Sequence, residues 1–133
     1  MKSKLISGTH HIALKTRGEV EFQKAVDFYA GLLGLEEIRS WVNANDRGVM
    51  LSTGNSIIEI TSNGMEANSQ GSIRHFALAT EDVDACIQLV REAGYPIVME
   101  PKDVVISSDP VLPIRIGFCL GPVGEEIEFF CEK

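Results

Sequence analysis

The chain has 133 residues, a formal net charge of −7 and 44% hydrophobic residues. This length suits one domain with a substantial core, and the acidic balance argues against binding to nucleic acid or to an anionic membrane surface. After Met1–Lys4, only Leu5 and Ile6 precede polar residues, so we expect neither a signal peptide nor a membrane span. Three cysteines without metal or redox spacing are expected to be buried thiols, and we predict a cytoplasmic protein.

The first predicted elements are a strand, a helix and three more strands. His11–Thr16 has the alternation of a strand. Apolar residues at steps of three and four then predict an amphipathic helix that ends near Gly34; its stripe is Phe22, Val26, Tyr29 and Leu33. The three strands are predicted near Glu37–Val42, Gly48–Ser52 and Ser56–Thr61.

The second half of the chain repeats this order. His75–Thr80 copies the first strand, and a helical stripe follows it, with Asp82 as the N-cap and Gly94 at the C-terminal end. Strands are predicted near Ile97–Glu100, Ile114–Leu120 and Glu126–Cys131, with a long loop over Pro101–Pro113. We therefore predict an α+β fold of two tandem βαβββ modules within a single domain of residues 7–133. The modules cover about 7–62 and 73–133, joined by a linker over 63–72.

The repeat also duplicates a histidine and a glutamate. His11 and Glu59 of the first module recur as His75 and Glu128 in the second. Alternation places each of them opposite the bulky apolar residues of its strand. Singly, each would ordinarily be a solvated residue, but two imidazoles and two carboxylates can hold one divalent ion. We therefore predict a metal site between the two halves.

Three neighbouring residues bear on this assignment. Glu125 and Glu126 are close enough to Glu128 for one of them to be the ligand instead. His10 is expected to point away from His11, so we interpret it as structural or exposed.

These segments together resemble the vicinal oxygen chelate superfamily. The matching segments are His11–Leu14, Phe28–Tyr29, Leu33–Leu35, His75–Leu78, Gly121–Gly124 and Ile127–Phe129. The resemblance implies two βαβββ modules whose curved sheets form a cup around one metal. Within the superfamily, the four predicted metal ligands match bacterial glyoxalase I position for position.

The resemblance also implies roles for individual residues. Asn63 matches an asparagine that contacts glutathione in glyoxalase I, and Lys15 stands where that enzyme has an arginine. Because lysine cannot replace a bidentate arginine at equal strength, glutathione is expected to be a poor partner. Glu128 is implied as the catalytic base, with Glu59 as its counterpart.

The implied activity is that of a metal-dependent isomerase or lyase of the glyoxalase type. It would act on a small chelating 2-oxo or hemithioacetal substrate through a metal-stabilised enediolate. The cofactor would be one nickel, cobalt or zinc ion per site, and small members of the superfamily imply a homodimer. Alternatives are a metal-dependent epimerase, a fosfomycin-type thiol transferase, or a protein that binds a small molecule or antibiotic without catalysis. Alternation does not decide which further strand residues line the cup; the candidates are Arg39, Trp41, Arg47, Met50, Met99 and Arg115.

Overall fold

The computed structural model describes Leu5, residues 8–64 and residues 74–133. The predicted first residue of the domain and positions 65–72 of the predicted linker lie outside these residues. The chain divides into two compact units, Met1–Ala67 and Asn68–Lys133. Each unit has one strand, one helix and then three strands, so the predicted α+β repeat is confirmed. The extent of a single domain stays a prediction. In the described residues, no helix has both the length and the apolar character needed to cross a membrane.

The first unit is a four-stranded mixed sheet with one helix. Its elements are β1 (Ile12–Lys15), α1 (Gly18–Val26), β2 (Glu36–Val42), β3 (Arg47–Ser52) and β4 (Ile57–Thr61), and α1 continues as a π-helix over Asp27–Leu32. The strand order is β1-β4-β3-β2, and β1 runs parallel to β4. Alternate sheet residues are buried with the helix residues; they are Val49, Leu51, Ile58 and Ile60, beside Phe22, Ala25, Phe28 and Tyr29. One face of this sheet is therefore the helix face, and the other is free of that packing.

The second unit repeats this arrangement. Its elements are β5 (Phe76–Ala79), α2 (Val83–Glu92), β6 (Ile97–Ile106), β7 (Leu112–Leu120) and β8 (Glu126–Glu132), in the sheet order β5-β8-β7-β6. The Asp82 carboxylate accepts a hydrogen bond from the backbone N–H of Ala85 at 3.0 Å, which confirms the predicted N-cap. Gly94 follows the helix with φ of +92°, a conformation that favours glycine.

The prediction of a long loop over Pro101–Pro113 is wrong. β6 continues through Pro101 to Ile106, and β7 begins at Leu112. Proline is tolerated because β6 is the outermost strand of its sheet and its register shifts between Met99 and Lys102. The β-branched residues that follow Pro101 favour extended backbone.

A β-bulge in β2 changes which residues share a face. Glu37 pairs with Leu51, whereas Arg39 pairs with Met50, so Ile38 is the extra residue. Because side chains alternate along a strand, one extra residue reverses the facing of all that follow.

The second unit has a bulge at the corresponding place in β6. Ile97 pairs with Cys119, whereas Met99 pairs with Phe118, so Val98 is the extra residue. The bulge is therefore part of the repeated architecture and not an isolated irregularity.

The cysteines are all free thiols, and only Cys119 is buried. Burial raises the pKa of the Cys119 thiol to about 12. Cys86 and Cys131 are half-buried, so the prediction of three buried thiols is wrong for these two.

Candidate metal and substrate site

The backbone register gives both units the same arrangement of histidine and glutamate. Ala13 of β1 is the register partner of Glu59 in β4, and Ala77 of β5 is the partner of Glu128 in β8. A histidine stands two residues before each alanine, directly before the strand: His11 and His75. Ile58, Ile60, Ile127 and Phe129, which flank the two glutamates, are buried.

In the second unit the histidine and the glutamate are in contact. Nε2 of His75 lies 3.2 Å from Oε1 of Glu128, and the His75 ring meets Phe118 edge-on at 5.3 Å. Two ligands bound at right angles, each about 2.1 Å from one ion, lie about 3 Å apart. The separation of the His75 and Glu128 atoms therefore suits two ligands of one metal.

The Glu128 side chain is largely buried. The residue is only 8% exposed. Burial raises its pKa, while the neighbouring His75 acts in the opposite direction.

In the first unit the corresponding residues are placed differently. Nδ1 of His11 lies 2.9 Å from Nδ1 of His10, and both histidines are exposed. The prediction that His10 points away from His11 is therefore wrong, because β1 begins only at Ile12 and strand alternation does not hold for the two histidines. Among the described residues, half-buried Glu59 has no hydrogen-bond or ion-pair partner. Metal-binding histidines usually hydrogen-bond through the ring nitrogen that does not hold the metal. The His10 contact therefore fits a metal ligand that would use Nε2 of His11.

Within either unit alone, the described residues form no group of three or more histidine, cysteine, aspartate or glutamate side chains that could hold a metal ion. The four-residue site therefore stays a prediction that rests on one pair in each unit.

The two predicted substrate-binding residues lie at the same end of the β1–β4 pair. Lys15 is the register partner of Thr61. The Thr61 hydroxyl donates to the amide oxygen of Asn63 at 3.0 Å, and Asn63 also forms an isolated β-bridge with Arg17. Lys15 and Asn63 thus lie near each other along the backbone register, beyond Glu59.

The second unit has a cavity that the sequence did not predict. Its volume is about 470 Å³, and its lining is Ala79, Thr80, Glu81, Phe130, Cys131 and Glu132. Ala79 follows Lys15 by the same number of residues as His75 follows His11, so the repeat relates Lys15 to Ala79. Glu132 likewise follows Asn63 by the same number of residues as Glu128 follows Glu59, which relates Asn63 to Glu132. The cavity thus occupies the position that corresponds to Lys15 and Asn63. Applying the two offsets to these residues could have located it.

The structure also separates the arginines and methionines that alternation left undecided. Arg47 lies over the Phe22 ring at 4.7 Å and pairs with Glu19 of α1 at 3.2 Å. Arg115 pairs with Asp84 of α2 at 2.6 Å. Both arginines are therefore on helix faces. The remaining candidates lie on the same sheet face as a predicted metal ligand, as the strand register shows. Arg39, Met50 and Trp41 share the face of Glu59, and Met99 shares the face of Glu128.

We expect Arg115→Gln to destabilise the fold in a pH-dependent manner. The Arg115 guanidinium lowers the pKa of Asp84, whereas the pKa of Asp103 is lowered first by Lys133 and then by Arg115. A carboxylate with a lowered pKa stabilises the fold above its unfolded-state pKa, and this contribution disappears as the pH falls through the folded-state pKa. In urea unfolding, the midpoint deficit of the variant should be full at pH 7 and shrink from about pH 4 downward. A deficit that is equal at every pH would contradict this account.

Comparison with solved structures identifies the fold. The chain superposes on SMU.1112c with a TM-score of 0.71, 25% identity and coverage of 96% of this chain and 99% of the other. A trypanothione-dependent glyoxalase I from Leishmania major gives a TM-score of 0.68, 22% identity and coverage of 91% and 84%. TnmS3, an antibiotic-binding protein from Streptomyces sp. CB03234, gives 0.70, 20% identity and coverage of 98% and 100%. The fold is therefore glyoxalase-like, and it occurs in enzymes and in binding proteins.

The family follows from a sequence match. Residues 8–129 match the model of the Glyoxalase/Bleomycin resistance protein/Dioxygenase superfamily, and the chain belongs to this superfamily. A search of curated proteins finds no match.

Proposed function

We propose that this protein is a metal-dependent isomerase or lyase of the glyoxalase type. Its substrate would be a small molecule with two neighbouring oxygen atoms, such as a 2-oxo compound or a hemithioacetal. The observation that carries the proposal is a strand pairing found in both units. In each unit a glutamate is the register partner of an alanine, and a histidine stands two residues before that alanine. Membership of a superfamily that includes glyoxalases supports it.

Four residues would hold one divalent ion: His11, Glu59, His75 and Glu128. Their nitrogen and oxygen donors suit nickel, cobalt or zinc. When bound, the ion would supply positive charge next to the substrate oxygens. The 3.2 Å separation between the His75 and Glu128 atoms supports the assignment.

In this proposal Glu128 moves the proton. Its Oε1, 3.2 Å from Nε2 of His75, would bind the metal beside that nitrogen, which leaves Oε2 to accept a proton from the carbon next to a carbonyl. The side chain of its register partner Ala77 is small, which leaves room above the carboxylate. Return of the proton to the neighbouring carbon gives isomerisation, and return to the same carbon gives epimerisation. Glu59 would serve as the counterpart of Glu128 in the first unit.

The decisive experiment combines metal loading with solvent exchange. Metal-replete protein is mixed with 2-oxo aldehydes and a panel of low-molecular-weight thiols in deuterated water, and NMR follows both the substrate C–H signal and the products. We expect exchange together with formation of a thioester, with glutathione a poor thiol because Lys15 lacks a bidentate guanidinium.

The other outcomes of this experiment separate the alternatives. Exchange without a thioester would favour an epimerase. Protein-dependent loss of thiol beyond the spontaneous formation of the hemithioacetal, without exchange, would favour a thiol transferase. Binding without any reaction would favour a function like that of antibiotic-binding proteins such as TnmS3. Each of these three results would contradict the proposed activity of the glyoxalase type.

We further propose that the protein is a cytoplasmic homodimer with a two-fold interface. Small members of the superfamily pair two chains, and β2 carries apolar side chains that a partner could cover: Ile38 is 48% and Val42 is 79% exposed. Light scattering at micromolar concentration should give twice the chain mass. A monomer under these conditions would contradict the dimer and would require all four proposed metal ligands to come from one chain.

A further inference from the structure

Trp41 and Arg39 lie on the same face of the first unit as Glu59. Through the register, Arg39 is next to Met50, which in turn is next to Glu59. Without the bulge at Ile38, Arg39 and Trp41 would face the same side as Glu37, whose partner Leu51 belongs to the helix face. The bulge therefore brings an aromatic ring and a cation to the candidate substrate side.

The indole ring of Trp41 lies directly against the backbone of β3. A Cβ atom added to Gly48 would be 2.1 Å from Cζ2 and 2.3 Å from Cε2 of Trp41. Any side chain at position 48 would displace the ring, so the glycine leaves the room in which the indole lies. Trp41 is half-buried, and part of its surface remains accessible.

The Arg39 side chain is exposed and makes no hydrogen bond or ion pair with another residue in the described part of the chain. Arg47, on the helix face, is by contrast already paired with Glu19. Arg39 is two residues from Trp41 on one strand, about 7 Å between Cα atoms, and two strands from Glu59, about 10 Å. These spacings match the dimensions of a small organic molecule.

We propose that Trp41 and Arg39 bind an aryl carboxylate group of the substrate. The aromatic ring would stack on the indole, and the carboxylate would accept hydrogen bonds from the guanidinium. A guanidinium fork matches the planar geometry of a carboxylate. The proposal rests on the proposed function in one respect, namely that the other end of the substrate reacts near Glu59. Binding of the aryl carboxylate group itself needs no metal.

The test uses the full chain labelled with ¹⁵N and free of metal. Trp41 is the only tryptophan, so a single indole N–H resonance reports on this position. Titration with naphthalene-2-carboxylate should shift that resonance in a saturable manner. Cyclohexanecarboxylate lacks the aromatic ring and naphthalene-2-carboxamide lacks the charge, and each should bind at least about tenfold more weakly.

Variants assign the two contacts. Arg39→Gln should weaken binding of the naphthoate at least about tenfold while leaving the carboxamide unchanged. Arg47→Gln is the matched control and should bind as the wild type does. Gly48→Ala should move the indole and therefore weaken the binding of both naphthalene compounds. Should Gly48→Ala fail to fold, Trp41→Leu can be followed through the Gly48 amide resonance, with the same expected weakening.

Two results would overturn the proposal: an Arg39→Gln protein that binds naphthoate as the wild type does, or an indole resonance that does not move while other resonances shift. Because the titration is carried out without metal, its failure leaves the exchange assay of the metal-loaded protein unaffected. The two proposals therefore fail separately.

Discussion

Glu128→Gln is expected to lower kcat by about a hundred- to ten-thousand-fold, because a glutamine amide can still contact a metal but cannot accept a proton. Glu128 is buried and contacts His75, so the substitution removes the proposed base and leaves the shape of its surroundings almost unchanged. The measurement is the rate of C–H exchange in deuterated water, together with the metal content of the same sample. The metal content should stay near one ion per chain.

Glu126→Gln is the matched control. Glu126 begins β8 and lies on the same strand face as Glu128, two residues away. The control should retain most of the exchange rate. If Glu126→Gln loses activity while Glu128→Gln keeps it, the assignment of the base is reversed. If both variants exchange normally, neither carboxylate is the base.

The second large effect concerns metal binding. His11→Ala and His75→Ala should each weaken binding of a divalent ion by more than about a hundredfold, because loss of a direct ligand exceeds the 10- to 100-fold cost of losing a supporting partner. Elemental analysis of gently purified protein should give near one ion per chain for the wild type and almost none for these variants.

His10→Ala is the control for the metal experiment. Its ring contacts Nδ1 of His11 and is proposed to orient that ligand. The variant should still reach one ion per chain at saturating metal, with affinity weaker by about tenfold. Metal binding that is unaffected in both His11→Ala and His75→Ala would show that the site is misassigned.

Much of the fold could be predicted because the same order of predicted strands and helix occurs in both halves of the sequence. The apolar stripe of α2 and the cap at Asp82 follow from local sequence, and the structure confirms both. The extension of β6 through Pro101 could not be predicted. Proline removes a ladder hydrogen bond, and only the position of β6 at the outside of its sheet makes this tolerable.

For the candidate site, alternation along the sequence predicts which residues share a sheet face where a strand is regular, but it does not predict where a β-bulge occurs. Alternation correctly separates Glu59 from buried Ile58 and Ile60, because β4 is regular. It fails for Arg39 and Trp41, because one extra residue in β2 reverses their facing. No local sequence signal marks Ile38 as the extra residue. The bulge is recognised only when the residues of β2 are paired with those of β3.

The two bulges also affect how the protein resists aggregation. β2 and β6 are outermost strands of their own sheets, and the inserted residues Ile38 and Val98 are 48% and 53% exposed. A regular outer strand with such apolar side chains would be a template on which further chains could add as strands and grow into fibrils. A bulge interrupts the row of amide and carbonyl groups after a few residues, so an added strand can form only a short ladder. The irregularity that places Arg39 and Trp41 on the same face as Glu59 therefore also opposes amyloid-like assembly.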